Sequence, residues 1–295
     1  MNTEKKHFTT AAELLPAWVE SIVSGKGPEL WNVGGADWGP VEIGPGLVVL
    51  LGGAPGAGKT ALAMQWTLEA LRFNPGLRAL VCNVEMDPGT LLDRQLARLS
   101  GVYAQRVRFR DLAGFEEKIR RGMDTLADVA DRLVFHTGGP VLADVARSAD
   151  ATGARLLVLD YVQRFTLGTG PDTQDRRTEL DGIMNHVRRF ADAGLGVLAV
   201  SAVARQKGKT GSNYAGLGLA SFRGSSELEY GADSAWTLEA DGERPDKVLL
   251  TCAKNRHGAT CGTPLHFDKA RQLFAVANGI TTAAPGGYLN ENEAF

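Results

Sequence analysis

Apolar residues in this chain gather in four short runs. They are Leu47-Val48-Val49-Leu50-Leu51, Ala79-Leu80-Val81-Cys82, Leu156-Leu157-Val158-Leu159 and Val197-Leu198-Ala199-Val200. None shows the polar–apolar alternation of a half-exposed strand, and all are too short for an ordinary buried helix. The pattern predicts central strands covered on both faces, as in a parallel sheet. Between the runs the period becomes helical. Helices are predicted from Ala61 to Leu71 or Arg72, where Asn74-Pro75-Gly76 breaks the pattern, and over Leu91–Leu99, Phe115–Leu133, Val141–Ala151 and Leu180–Ala193. This alternation predicts an α/β fold, a mostly parallel central sheet flanked by helices. Ala235–Glu239 and Lys247–Ala253 around Gly242, then Thr263–Phe267 and Gln272–Val276, read as C-terminal β-hairpins.

The flanks carry weaker patterns. Thr10 and Glu13 have capping-box spacing, and Leu14, Trp18 and Ile22 recur with Leu15, Val19 and Val23 beside them. A short amphipathic helix is predicted there, weakened near Pro16. Two roles are open to it: packing on its own domain, or docking on a neighbouring subunit. Gly25–Gly46 reads as loop from its Gly, Pro and Trp content. Arg106, Arg108 and Arg110 alternate, most simply as a solvated strand or loop face, with a nucleic-acid contact as the alternative. Residues 205–224 read as one long flexible loop. The chain therefore divides into an N-terminal segment (1–32), one large domain (33–276) and a mobile tail (277–295).

Composition narrows the class. The 295 residues are 44% hydrophobic and 22% charged, as in ordinary globular proteins. The net charge of −2 leaves any contact with a polyanion to local loops. Three cysteines without C-x-x-C spacing argue against a zinc site or a disulfide framework, and suit buried thiols in a reducing compartment. No apolar run approaches the ~18 residues of a membrane span. No signal-peptide core follows Met1. The expectation is a cytoplasmic protein with no membrane partner.

The first apolar run leads into Gly52-Gly53-Ala54-Pro55-Gly56-Ala57-Gly58-Lys59-Thr60, in which Gly53–Thr60 fits G-x-x-x-x-G-K-T. A buried strand, a glycine-rich turn and a helix make the context such a phosphate loop requires. Gly53, Pro55, Gly56, Ala57 and Gly58 form the candidate cradle, since glycines let backbone N–H groups converge on phosphate oxygens. Lys59 can reach the β/γ-phosphates and the Thr60 hydroxyl can ligate Mg²⁺. Asp160 ends the third run, where a carboxylate can hold the Mg²⁺ shell. Tyr161, not glutamate, follows it. Glu85, at or near the end of the second strand, is then the candidate for orienting the attacking water, with a helix N-terminal charge as the plainer alternative. Arg205, Lys207 and Lys209 on the long loop, with Tyr214, suit single-stranded nucleic acid. By composition alone a solvated loop is the simpler reading.

The order of these motifs is itself informative. After the phosphate loop come Val84-Glu85-Met86, Leu159-Asp160-Tyr161-Val162-Gln163, Phe222-Arg223-Gly224-Ser225-Ser226-Glu227-Leu228-Glu229, Ala232-Asp233 and Lys254-x-Arg256-x-Gly258. This resembles the motor domain of the DnaB family of hexameric replicative helicases, over roughly Val33 to Val276. The resemblance implies a RecA-like fold, ATP with Mg²⁺ at subunit interfaces, a homo-oligomeric hexameric ring, and a loader or replication partner. It makes Glu85 the catalytic glutamate. It has Lys254 and Arg256 reach in trans to the γ-phosphate, and Arg223, Gly224 and Ser225 grip the backbone of single-stranded DNA. The chain departs from the family in two places. Ala202 follows Ser201 where a γ-phosphate-sensing glutamine is usual, with Gln206 nearby. Only about 30 residues precede the motor, so the primase-recruiting domain of replicative members is not expected. The main alternative is a RecA- or KaiC-like regulatory or recombination-mediator ATPase that does not unwind. A metabolic kinase with a phosphate loop is the third reading.

Overall fold

Strand β1 (Val48–Gly53) is apolar on both faces because it lies inside the sheet. Val49 and Leu51 enter one core cluster and Val48 and Leu50 the other, following the two-residue repeat of a strand. The computed structural model describes residues 8–35, 38–168, 176–203, 206–208, 211–213, 217–222 and 226–277. The chain forms two compact units, residues 1–30 and 31–295.

In the first unit, helix α1 (Ala11–Val23) buries no residue. Thr10 is its N-cap, its side chain accepting the Glu13 N–H at 3.3 Å, and the helix runs on through Pro16.

The second unit alternates strands and helices. After β1 come α2 (Lys59–Phe73), β2 (Ala79–Asn83), α3 (Pro88–Ser100), α4 (Ala104–Phe109), α5 (Glu116–Ala127), β3 (Leu133–Phe135), α6 (Leu142–Thr152), β4 (Leu156–Asp160), α7 (Arg176–Asp192) and β5 (Gly196–Ala202). A short hairpin, β6 (Gln206–Gly208) and β7 (Gly211–Asn213), precedes α8 (Ser226–Gly231). Strands β8 (Ser234–Ala240), β9 (Lys247–Asn255), β10 (Gly262–Asp268) and β11 (Leu273–Val276) end the described chain. Nine strands share one sheet in the order β11-β10-β9-β8-β1-β5-β4-β2-β3. Pairing is parallel from β8 to β3 and antiparallel from β8 to β11. The expected mixed α/β sheet with C-terminal hairpins is present.

Three expectations need correction. The alternating arginines lie on helix α4, with Arg110 as its left-handed cap. Only Val107 of that helix is buried, so a turn and a half carried no legible apolar period. Their charge is partly spent locally: Arg106 pairs with Asp111 and Arg110 with Asp93. The helix expected over Phe115–Leu133 stops at Ala127, and Leu133–Phe135 is an edge strand paired with Ala79–Val81. Three residues are too few to show a strand pattern. Within the long loop, Gln206–Gly208 and Gly211–Asn213 pair as a hairpin. The described part of Gly25–Gly46 is irregular, as expected, and it supplies Trp31, Val33, Trp38, Val41 and Ile43 to the core. Trp38 meets the fully buried Trp66 edge-on at 5.7 Å.

A buried ion pair joins α2 to α3. Arg98 meets Glu69 at 2.7 Å with both side chains under a tenth exposed. Gln95 accepts from Arg98 Nε, and Arg72 takes the second Glu69 oxygen. Charges this deep are tolerated only when paired, and the contact ties α3 to α2, the helix that follows the phosphate loop.

Candidate active site

The phosphate loop leaves β1 at Gly53 and enters α2 at Lys59. Pro55 and Gly56 are exposed at its tip. Gly58 is the N-cap of α2 with φ +92°, and a Cβ there would lie 2.7 Å from the Phe274 ring and 2.8 Å from the Phe267 ring. Those rings stack at 4.1 Å. The β10–β11 hairpin is thus a floor beneath the loop. Gln65 ties it to α2 by donating to the Phe274 carbonyl (2.9 Å) and accepting the Phe274 N–H (3.0 Å).

Lys59 Nζ donates to the carbonyls of Gly53 (2.8 Å) and Ala54 (3.0 Å). Burial holds its pKa below the usual lysine value, against the raising influence of Asp160 and Glu85. Thr60 Oγ1 donates to Asp160 Oδ2 at 2.6 Å. Burial raises the Asp160 pKa, and the nearby Glu85 carboxylate raises it further; Thr60, Lys59 and Arg94 oppose. The expected residues therefore meet: Gly53–Thr60, Asp160 and Glu85 form one site at the C-terminal ends of β1, β4 and β2.

Asn83 is a site residue that motif reading missed. Its Nδ2 donates to Asp160 Oδ2 at 2.8 Å, while its Oδ1 accepts the N–H groups of Glu85 (2.9 Å) and Met86 (2.7 Å). One side chain thus joins the strand-ending aspartate to the turn that presents Glu85. The signal in the sequence was only an Asn two residues before Glu85, at a position where Asn folds its own turn. Arg94 of α3, whose charge opposes the rise in the Asp160 pKa, was not singled out either. Replacing Asn83 by alanine is expected to lower kcat for ATP about tenfold or more while KM changes little, because removing a charge-assisted bond misplaces Glu85 without touching the phosphate cradle. Steady-state kinetics on Asn83→Ala check this.

The donor set fits a nucleotide with Mg²⁺. Thr60 and Asp160 are hard oxygen ligands already 2.6 Å apart, which suits a small cation that retains waters. Gly56, at φ +78°, has nothing within 4 Å of where a Cβ would stand, so the cradle is open. Thr60 and Asp160 would hold the cation, and Lys59 with the loop N–H groups would hold the phosphates.

At the missing-glutamine position, Gln163 takes hold of the backbone. It donates to the Ala202 carbonyl (3.1 Å) and to Ser201 Oγ (2.7 Å), and accepts the Ala202 N–H (3.1 Å). The turn after β4 and the end of β5 are therefore clamped side by side, next to Gly52 and Gly53. Lys254 and Arg256 lie elsewhere, at the end of β9 beside Asp233. Lys207 is on β6. Arg205, Lys209, Arg223, Gly224 and Ser225 lie outside the described residues. Burial pushes the thiols of Cys82 and Cys252 up to about 12, so neither is a ready nucleophile. No helix among the described residues is long and apolar enough to cross a membrane.

Comparison with known proteins places the chain in a family and a fold. The family model for the DnaB-like helicase C terminal domain matches residues 43–276. A probable plasmid replicative DNA helicase of Chlamydia trachomatis serovar L2 (strain ATCC VR-902B / DSM 19102 / 434/Bu) is 25% identical over 252 residues, 81% of this chain and 53% of its own. Its counterpart in Chlamydia muridarum (strain MoPn / Nigg) is 23% identical over 249 residues, with the same coverage of 81% and 53%. The chain spans about half the length of these curated relatives. Among solved structures, the ATPase domain of G40P superposes with a TM-score of 0.77 at 19% identity, covering 90% of this chain and 98% of that one. A DnaB-like replicative helicase studied with primase gives a TM-score of 0.76 at 19% identity, covering 91% and 67%. At these identities the two structures carry the fold.

Proposed function

The chain belongs to the family of DnaB-like helicase C-terminal domains, and we propose that it is the ATP-hydrolysing motor of a ring-shaped helicase or translocase acting on single-stranded DNA. One observation carries the ring. Arg256 and Lys254 stand beside Asp233, which is bonded to Val48 at the start of β1. The phosphate loop leaves the other end of that strand. At about 3.3 Å per residue the two ends are on the order of 15 Å apart. These cations are too far from the phosphate loop of their own chain. The nucleotide of a neighbouring copy is the partner that fits, and head-to-tail contacts of this kind close into rings.

Bound MgATP supplies an electrophilic γ-phosphorus and a stable leaving group. Around it, the loop N–H groups and Lys59 hold the phosphates, with Lys59 exchanging the Gly53 and Ala54 carbonyls for phosphate oxygens. Glu85 takes a proton from the attacking water, in an orientation set by Asn83. Lys254 and Arg256 of the next copy stabilise charge as it develops on the γ-phosphate oxygens. Loop residues Arg205, Lys207, Lys209, Arg223, Gly224 and Ser225 contact the DNA backbone without reading sequence. The named plasmid helicases among the relatives support this reading.

Ala202 favours a second reading, a regulatory ATPase in which hydrolysis is not coupled to DNA, because a methyl group cannot signal by hydrogen bonding. Turnover with and without single-stranded DNA separates the two. Stimulation that fades as salt rises is the expected result, since phosphate contacts release counterions. Turnover indifferent to DNA at every salt concentration would move the assignment to the regulatory ATPase.

A further inference from the structure

Lys254 and Arg256 are seated on the end of a helix in the single chain. Lys254 Nζ donates to the carbonyls of Ala232 (2.8 Å) and Tyr230 (3.3 Å). Arg256 donates to the Tyr230 carbonyl and, at 3.3 Å, to Asp233 Oδ1. Tyr230 belongs to α8 and Ala232 follows it, so both cations cap the C-terminal end of that helix. Its last carbonyls lack donors within the helix and form the negative end of its dipole. Asp233 is the fixed point of the seat. Its Oδ2 accepts the Val48 N–H (2.8 Å) and Arg188 (2.7 Å), and its backbone carbonyl accepts the Arg256 N–H (2.8 Å).

We propose that this seat and the nucleotide of the next copy compete for the same two cations, with Asp233 and the end of α8 as the groups that position them. The inference rests on the reading that Lys254 and Arg256 act in trans. Its consequence is that nucleotide bound on one copy is felt in α8 of its neighbour.

The geometry permits the exchange. Arg256 meets Asp233 at 3.3 Å, further than Arg188 at 2.7 Å, and its side chain is 44% exposed. When it leaves, Arg188 and the Val48 N–H still compensate the buried carboxylate, so no unpaired charge is created. The Tyr230 carbonyl belongs to an exposed residue, and water can replace the cations there. A polyphosphate offers stronger charge-assisted bonds than neutral carbonyls. The linkage is reciprocal: whatever steadies α8 in the capped form weakens the grip on the neighbour's nucleotide. Arg223, Gly224 and Ser225, the candidate DNA contacts, precede α8 directly in the chain. The competition therefore gives DNA and nucleotide a shared element that does not need the glutamine replaced by Ala202.

Backbone hydrogen exchange on the assembled full chain tests this, with and without Mg²⁺ and a slowly hydrolysed ATP analogue. The amides of residues 52–60 report nucleotide binding, and those of 226–232 report the seat. Nucleotide should slow the first set and speed the second, by about three- to thirtyfold for two cations lost from a helix C-terminus. In the Lys254→Ala/Arg256→Ala double variant, α8 should exchange at the faster rate already and ignore nucleotide. Protection of 52–60 in the wild type with α8 unchanged or slowed overturns the competition while leaving the ATPase reading intact. The wild-type comparison decides this alone if the double variant fails to assemble. Failure of the reading itself looks different. Unprotected loop amides, or a strictly proportional loss of turnover when Arg256→Ala and wild-type chains are mixed, removes the trans role and the competition with it.

Discussion

Lys59→Ala is expected to lower kcat/KM for ATP on the order of 10²–10³-fold, the effect of removing one preorganised charge from a reacting phosphate. Lys59 is half-buried and donates to the loop carbonyls of Gly53 and Ala54, so its ammonium is held ready at the cradle. Those bonds are local to the loop, and α2 is anchored independently by Trp66, Leu68 and Leu71, all fully buried. The folded state should therefore survive with little change in Tm, while binding of a fluorescent ATP analogue falls with turnover. Unchanged ATPase would sink the site assignment.

Glu85→Gln is expected to leave nucleotide binding near wild type and reduce kcat about 10²–10⁴-fold, the usual contribution of a general base. The two substitutions thus separate binding from chemistry. Glu85 is exposed at the mouth of the site, and the bonds that shape its turn run to its backbone N–H from Asn83. The amide keeps the shape and loses the proton acceptor. Single-turnover measurements on pre-bound ATP check the prediction. If Glu85→Gln hydrolyses bound ATP at the wild-type rate, the base is another residue and the plainer reading of Glu85, a charge beside the start of α3, stands.

Much of this site was legible because its parts are local in the chain. The Gly53–Thr60 loop is one uninterrupted motif between a strand and a helix. Asp160 ends an apolar run, and the run itself places it at a strand end. Glu85 needed one step more, the absence of a carboxylate at Tyr161. Asn83 was missed because its importance lies in three hydrogen bonds, to Asp160 and from the N–H groups of Glu85 and Met86. Arg94 was missed for the same reason: it lies on α3, and only its charge, which lowers the Asp160 pKa, links it to the site. The short elements failed differently. Helix α4 and strand β3 span six and three residues, less than either periodicity needs to declare itself.

From sequence alone came the α/β class, the buried parallel strands, the phosphate loop, both acidic residues and the order of motifs that marks the DnaB-like family. The first four follow from periodicity and from residue types that a given backbone or chemical role demands, the last from a resemblance, and all are written along the chain. Tertiary structure decided what depends on distant segments meeting. It set Phe267 and Phe274 beneath Gly58, Gln163 against the backbone of Ala202, and Lys254 and Arg256 on the end of α8, remote from their own phosphate loop. Such contacts join residues tens to hundreds of positions apart. They are chosen by sheet order and packing, for which no local pattern exists.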